Sequence, residues 1–184
     1  MDVHSAIEAR RATRSLAPVP VTEELVRDLA GHARLSPSCD NNQPWRFVFV
    51  FEPAKLEALK AVFTEGNRWC QAASLAVTVF SRKDDDCVVR DREYHLFDTG
   101  MAAAFLILRA TELGLVAHPI AGFSPKKTRE VLGIPEEFQV ITLILVGKRA
   151  DAPSPVLSEK QLKDEKRRPE RLPFEKFAFL NDYP

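Results

Sequence analysis

Residues 36–47 read SPSCDNNQPWRF. Serine, proline, asparagine and aspartate favour turns because they lack a backbone donor or bond their own backbone, so this run predicts a surface loop. The loop nevertheless ends in Gln43-Pro44-Trp45, carrying one of only two tryptophans in the chain, and passes directly into the apolar stretch RFVFVF. An amide- and hydroxyl-rich loop moored by an indole predicts that something flat and polar docks there.

Toward the C-terminus, RFVFVF reads as a strand, and Pro53 opens PAKLEALKAVF as a helix, at the position where its missing donor costs nothing. SLAVTVFS is a further strand. A charged connection, SRKDDDCVVRDREYH, leads into DTGMAAAFLILRATELGL, which is apolar on nearly every side. That pattern predicts a central buried helix, with Gly100, Ala102, Ala103 and Ala104 letting another helix approach closely. AHPIAGF reads as a short extended or turn segment. Ser124-Pro125 caps a helix that stops at Gly133 and Pro135, and QVITLILVG is a strongly buried strand. Toward the N-terminus, Thr22 caps TEELVRDLAGHARL, with Leu25, Val26, Leu29 and Ala33 as its apolar stripe, and APVP separates it from a short helix, HSAIEARRA. Helices and strands without regular βαβ alternation predict an α+β class.

From Ala150 onward the chain carries Pro153, Pro155, Pro169 and Pro173 and shows no clear period. Its end is too apolar for a disordered tail, with Phe174, Phe177, Phe179 and Leu180 close together. Residues 150–184 therefore read as an extended arm lying on another surface, a partner subunit being the obvious one. Residues 1–184 form a single domain.

Apolar residues make up 45% of the chain and charged residues 28%, with 26 basic and 26 acidic side chains. A formal charge of zero offers no bulk attraction to nucleic acid or to an anionic membrane. No secretory signal is visible, and no segment approaches the roughly 18 apolar residues of a membrane span. Cys39, Cys70 and Cys87 are odd in number and widely separated, which predicts reduced thiols in a cytoplasm and not a disulfide framework. The histidines show no zinc-ligand spacing, and Asp84 to Asp86 lack the spacing of a calcium loop. His118 either borders a pocket or is simply packed.

Four stretches carry chemistry. EARRATRSL sets Arg10, Arg11 and Arg14 at a helix end, where guanidinium forks suit a phosphate, although taken alone a solvated basic helix end is the better reading. The loop at 36–47 is the second. HPIAGF is the third, with Gly122 able to bring backbone against a ligand. EKRRPERLP is the fourth, with Arg167, Arg168 and Arg171.

Together these stretches resemble the FMN-dependent nitroreductase family. The match runs through Ser36, Pro37, Ser38, Asn41, Gln43, Pro44, Trp45 and Phe47, then Asn67, Asp98-x-Gly100, Gly114-Leu115, Pro119 to Phe123 and Leu132 to Pro135. The resemblance implies a homodimer with a mixed, mainly antiparallel sheet flanked by helices. It also implies exchanged C-terminal arms and FMN at the subunit interface. By matching position, Arg10 and Arg168 or Arg171 would hold the phosphate, with Arg11 assisting. Arg14 and Asn67 would meet the pyrimidine edge of the flavin, Pro119 and Gly122 would line the ring, and Pro37, Ser38 and Asn41 would cup it from across the interface. A cation at Arg14 favours the negative charge that reduction places at N1 and O2.

Ala12 departs from the serine or threonine usual in the family, removing one hydroxyl from the phosphate. Ala121 stands where an acidic residue is frequent, and the short stretch between Phe80 and Tyr94 leaves the pocket with little cover. The implied activity is hydride transfer from NADH or NADPH through FMN to a nitroaromatic, a quinone or a similar small-molecule acceptor. The rival readings are a flavin-dependent dehydrogenase or dehalogenase of one metabolite, and a flavin carrier or sensor without turnover.

Overall fold

The computed structural model describes residues 1–183. Its centre is β7 (Gln139–Arg149), whose Leu143, Ile144, Leu145 and Val146 are wholly buried. On β7 pair β3 (Leu75–Ser81), β6 (Val116–Ile120) and the short β1 (Leu16–Ala17), while β2 (Arg46–Val50) adds to β3. Each of these pairings is antiparallel, so the described chain holds no parallel pair of the mixed sheet that the resemblance implies. A separate hairpin joins β4 (Val88–Val89) to β5 (Arg92–Glu93).

Period-two alternation sorts the core onto two faces. Leu143 and Leu145 pack with Leu59, Val62 and Trp69, while Ile144 and Val146 pack with Leu29, Ala103 and Leu106. The second face is covered by α2 (Glu23–Ala33) and α4 (Tyr94–Glu112), with α1 (Val3–Ala9) lying against α4. On the first face sit α3 (Pro53–Leu59) and α5 (Pro125–Leu132), which ends where Gly133 takes a left-handed φ of 66°.

Of the two readings of AHPIAGF, the extended one holds: Val116–Ile120 form β6, where Pro119 is tolerated because an edge strand has a side on which no ladder donor is needed. Two expectations need correction. The long apolar helix starts earlier, at Tyr94, and is only half covered. Ala102, Ala103 and Leu106 face the core, but Phe97 is 63% exposed and Phe105 40%. An apolar helix needs partners on every side, and one chain supplies them on one side only. Finally, the region after Ala150 contains α6 (Glu159–Lys166), opened by a capping box in which Ser158 and Gln161 bond each other's backbone. An eight-residue, highly charged helix is too short to show an apolar period, although Ser-x-x-Gln was its local signal. Leu157 and α6 lie against their own chain, and beyond Arg168 the side chains of Leu172, Phe174, Phe177 and Leu180 stand exposed.

Candidate functional site

The two arginine stretches, near opposite ends of the chain, meet. Arg10, Arg11, Ala12, Arg14, Arg168 and Arg171 line one cavity of about 170 Å³, with Asp164 beside them and Arg167 outside it. Glu165 on α6 makes the junction. Its carboxylate accepts from the Arg14 and Ser15 amides and the Ser15 hydroxyl, and its carbonyl accepts from Arg11. Arg168 in turn donates to the Glu8 carbonyl and, at 2.9 Å, to the Arg10 carbonyl. Burial alone would raise the Glu165 carboxyl, but those hydrogen bonds and the Arg14 charge outweigh it and leave the group below its ordinary value. With Glu165 so engaged, the guanidiniums face each other largely unbalanced. Burial, followed by the charges of Arg168, Arg171 and Arg11, pushes Arg10 below its ordinary value. A cluster of this kind favours an anion with several acceptor oxygens.

From there a chain of contacts leads to Gly122. His118 is packed, 7% exposed, with Nδ1 at 3.0 Å from the Thr13 carbonyl and its ring 4.5 Å from that of Trp69. A carbonyl only accepts, so Nδ1 carries the proton. Burial first, and then Arg14 and Arg10, lower the His118 pKa to about 4, so the ring is neutral at ordinary pH. Trp69 donates from Nε1 to Asn67 Oδ1 at 3.2 Å, which orients the Asn67 amide to donate from Nδ2 to the Gly122 carbonyl at 2.9 Å. The Thr64 hydroxyl and amide reach the same carbonyl at 3.0 and 3.1 Å. A Cβ on Gly122 would fall 2.5 Å from Asn67 Nδ2 and 2.7 Å from Thr64 Oγ1, so a side chain there would fit only by displacing both of them. Pro119 is exposed beside this line.

The loop at 36–47 lies elsewhere. Among the described residues, none of its hydrogen bonds reaches the arginine cluster. Asp40, Asn41 and Gln43 take positive φ values of 47°, 56° and 53°, each costing about 1–3 kcal/mol unless the surroundings hold it. They are held. Ser38 Oγ accepts from the Gln43 amide at 2.9 Å, Arg46 donates to the Gln43 carbonyl at 3.0 Å, and Trp45 is 8% exposed. The Cys39 amide donates to Asp98 at 2.7 Å, and Asn42 donates to Asp86 at 3.3 Å. Burial, with Asp86 nearby, raises the Asp98 carboxyl, while Asp86 Oδ2 is buried with no donor. Pro37, Ser38 and Asn41 remain accessible on the outer side of this turn.

The expectation of three separate thiols is overturned. Cys39 and Cys87 form a disulfide, with Cα atoms 6.0 Å apart and a sequence separation of 48. The cause is topological: β2 and β3 pair antiparallel, with Arg46 opposite Phe80, so the turn before β2 lies beside the segment after β3. This bond also removes the redox-compartment argument for a cytoplasmic location. Cys39, Asp40 and Cys87 bring potential ligand atoms within 4.8 Å of one another, but the two sulfurs are bonded to each other and are not thiolates. Sequence reading also missed Glu165, hidden in a charge run, and its one clue was the capping box that places α6.

Among the described residues, no helix is long and apolar enough to cross a membrane. The model of the Nitroreductase family matches residues 7–148. The chain is 27% identical to an NADH dehydrogenase of Thermus thermophilus, over 82% of this chain and 88% of that one. It superposes with a TM-score of 0.85 and 27% identity on a solved oxidoreductase containing FMN, covering 100% of this chain and 93% of the other. A nitroreductase-like protein of Exiguobacterium sibiricum in complex with FMN shares the fold, with a TM-score of 0.80 at 21% identity over 98% of each chain.

Proposed function

The chain belongs to the nitroreductase family, and from this premise we propose that it is an FMN-dependent oxidoreductase. It passes hydride from NADH or NADPH to a nitroaromatic, a quinone or a similar acceptor. The reading is carried by one observation: guanidiniums from both chain ends ring a single cavity, and a line of contacts connects it to the crowded Gly122 carbonyl.

The residues fit such a cofactor. Arg10, Arg11, Arg168 and Arg171 would grip the phosphate, whose charge relieves their mutual repulsion, while Ala12 contributes no hydroxyl. Arg14 supplies a fixed cation where reduction deposits negative charge. Asn67, oriented through Trp69, and Gly122 with Pro119 would form one wall of the ring site. When bound, FMN supplies the two-electron chemistry, so no side-chain nucleophile or base is demanded of the protein. The second wall, Pro37, Ser38 and Asn41, comes from another copy of the chain. Support for that homodimer is the bare face of α4 and the exposed apolar end of residues 169–183, the latter read as an arm exchanged onto the partner.

Purified protein should be yellow, and anaerobic NADH or NADPH should bleach it, with colour returning on addition of a nitroaromatic or quinone. Arg14→Ala should slow the bleaching by about tenfold to a hundredfold. Persistent colour with both nicotinamides would replace this reading by that of a flavin carrier.

A further inference from the structure

The flavin chemistry proposed above makes no use of sulfur, yet the only covalent cross-link among the described residues ties the turn assigned to the ring to a distant segment. Cys39 and Cys87 are half-buried and neither is sealed in the core, which leaves the bond open to an external thiol. Cys70 is no competitor: it is buried, and burial pushes its thiol up to about 12.

The bond joins two segments that have little else to hold them. On one side, the turn at Cys39–Asn41 carries the left-handed residues Asp40 and Asn41 and continues to Gln43. Facing it, the β4–β5 hairpin is a two-residue ladder whose Val88 and Val89 are exposed. Without the sulfur bridge, the contacts between them are side-chain ones: Asn42 on Asp86 at 3.3 Å, the partly exposed Arg46–Asp85 pair at 3.4 Å, and the longer contacts of Cys87 Sγ with Asn42 Nδ2 at 3.5 Å and Asp40 Oδ2 at 3.7 Å. An exposed ion pair adds little to stability. The Cys39 amide remains on Asp98, which belongs to α4 and not to the hairpin.

We propose that Cys39–Cys87 is a thiol-exchange site, opened by low-molecular-weight thiols, and that opening it releases the turn at Ser38–Gln43. The chemistry balances. Two thiols attack in succession and leave as their own disulfide, being oxidised, while each protein sulfur is reduced and takes one of the protons they lose. The first attack breaks the Sγ–Sγ bond and forms a mixed disulfide, and the second resolves it. The exchange site stands on the geometry alone. Its consequence for FMN rests on the function proposed above: a freed turn is competent to bind for a smaller fraction of the time, and affinity falls in proportion.

The test uses the full-length protein as purified. It is incubated folded with oxidised glutathione, reduced glutathione or dithiothreitol, then denatured, alkylated and mapped by peptide mass. After oxidised glutathione, Cys70 alone should be alkylated, with Cys39 and Cys87 linked. After reduced glutathione or dithiothreitol, all three should be alkylated. Hydrogen exchange should then rise by about tenfold or more across 36–47 and 83–93, with β3 and β7 unchanged. Cys87→Ser should show the same rise without reductant and no further rise with it. FMN affinity should fall by about tenfold if the competent fraction drops to about a tenth. Absence of the linkage after oxidation, resistance of the folded protein to dithiothreitol, or unchanged exchange after opening would each overturn the proposal. Faster exchange with unaltered FMN affinity would overturn the assignment of the turn to the flavin and leave the exchange site intact.

Discussion

The arginine cluster around Arg10 and Arg168 is pushed apart by like charge, whereas the turn at Ser38–Gln43 is drawn together by its own backbone bonds and a disulfide. In the first region five guanidiniums gather with Asp164 beside them, and a single carboxylate, Glu165, docks α6 against the N-terminal segment. In the second, the costly left-handed residues are satisfied internally before any ligand arrives. Binding should therefore be strongly electrostatic and salt-sensitive at one half, and a matter of preformed shape at the other.

The largest effect expected is on the charged half. Arg171 has no hydrogen bond to the protein among the described residues, so its loss should cost binding and not folding. Combining Arg10→Ala with Arg171→Ala should weaken FMN by roughly 3–6 kcal/mol, at the usual worth of two hydrogen bonds to a charged group. Titration of the apoprotein followed by flavin fluorescence measures this, and an unchanged affinity would end the assignment of the phosphate to this cavity.

Next comes His118, which links the two stretches of that half. Its folded pKa of about 4 lies below the ordinary histidine value of 6.5, so the unfolded chain binds the proton more readily. Its contribution is fully present above about pH 6.5 and is lost as pH falls through about 4, a change of about 3 kcal/mol. Urea unfolding of the wild type and His118→Gln at intervals between these pH values should show the smaller slope in the variant.

Gly122→Ala sharpens the comparison from the neutral side. The new methyl would displace Asn67 and Thr64 from the Gly122 carbonyl, for a loss of about 2 kcal/mol in stability. Thermal unfolding reads this directly. Ser38→Ala, which removes the acceptor for the Gln43 amide, should cost least, about 1 kcal/mol. If it instead matched the arginine variants in its effect on FMN, the turn would owe its shape to the ligand, and the contrast between the halves would disappear.

Much of the site was legible because its signals are local. Arg10, Arg11, Arg14, Arg168 and Arg171 were visible as guanidinium clusters, and the structure brings them to one cavity. Gly122 was read as a position able to bring backbone against a ligand, and what lies against it in the structure is the Asn67 and Thr64 side chains of its own chain. Glu165 was not visible, since a carboxylate in a charge run looks solvated until its partners, 150 residues away in sequence, are placed. The same holds for Cys39 and Cys87, whose separation says nothing until β2 and β3 are paired.

From the sequence alone came the types of the larger elements, the deep burial of β7 and the ordered set of motifs that marks the family. Such features depend on neighbours a few residues apart, through the 2.0 and 3.6 periods of strand and helix. Tertiary structure decided that two cysteines meet, that α6 folds back on its own chain and that one face of α4 stays bare. Those outcomes depend on which distant segments share a surface, a property of how the layers stack and not of any local run of residues.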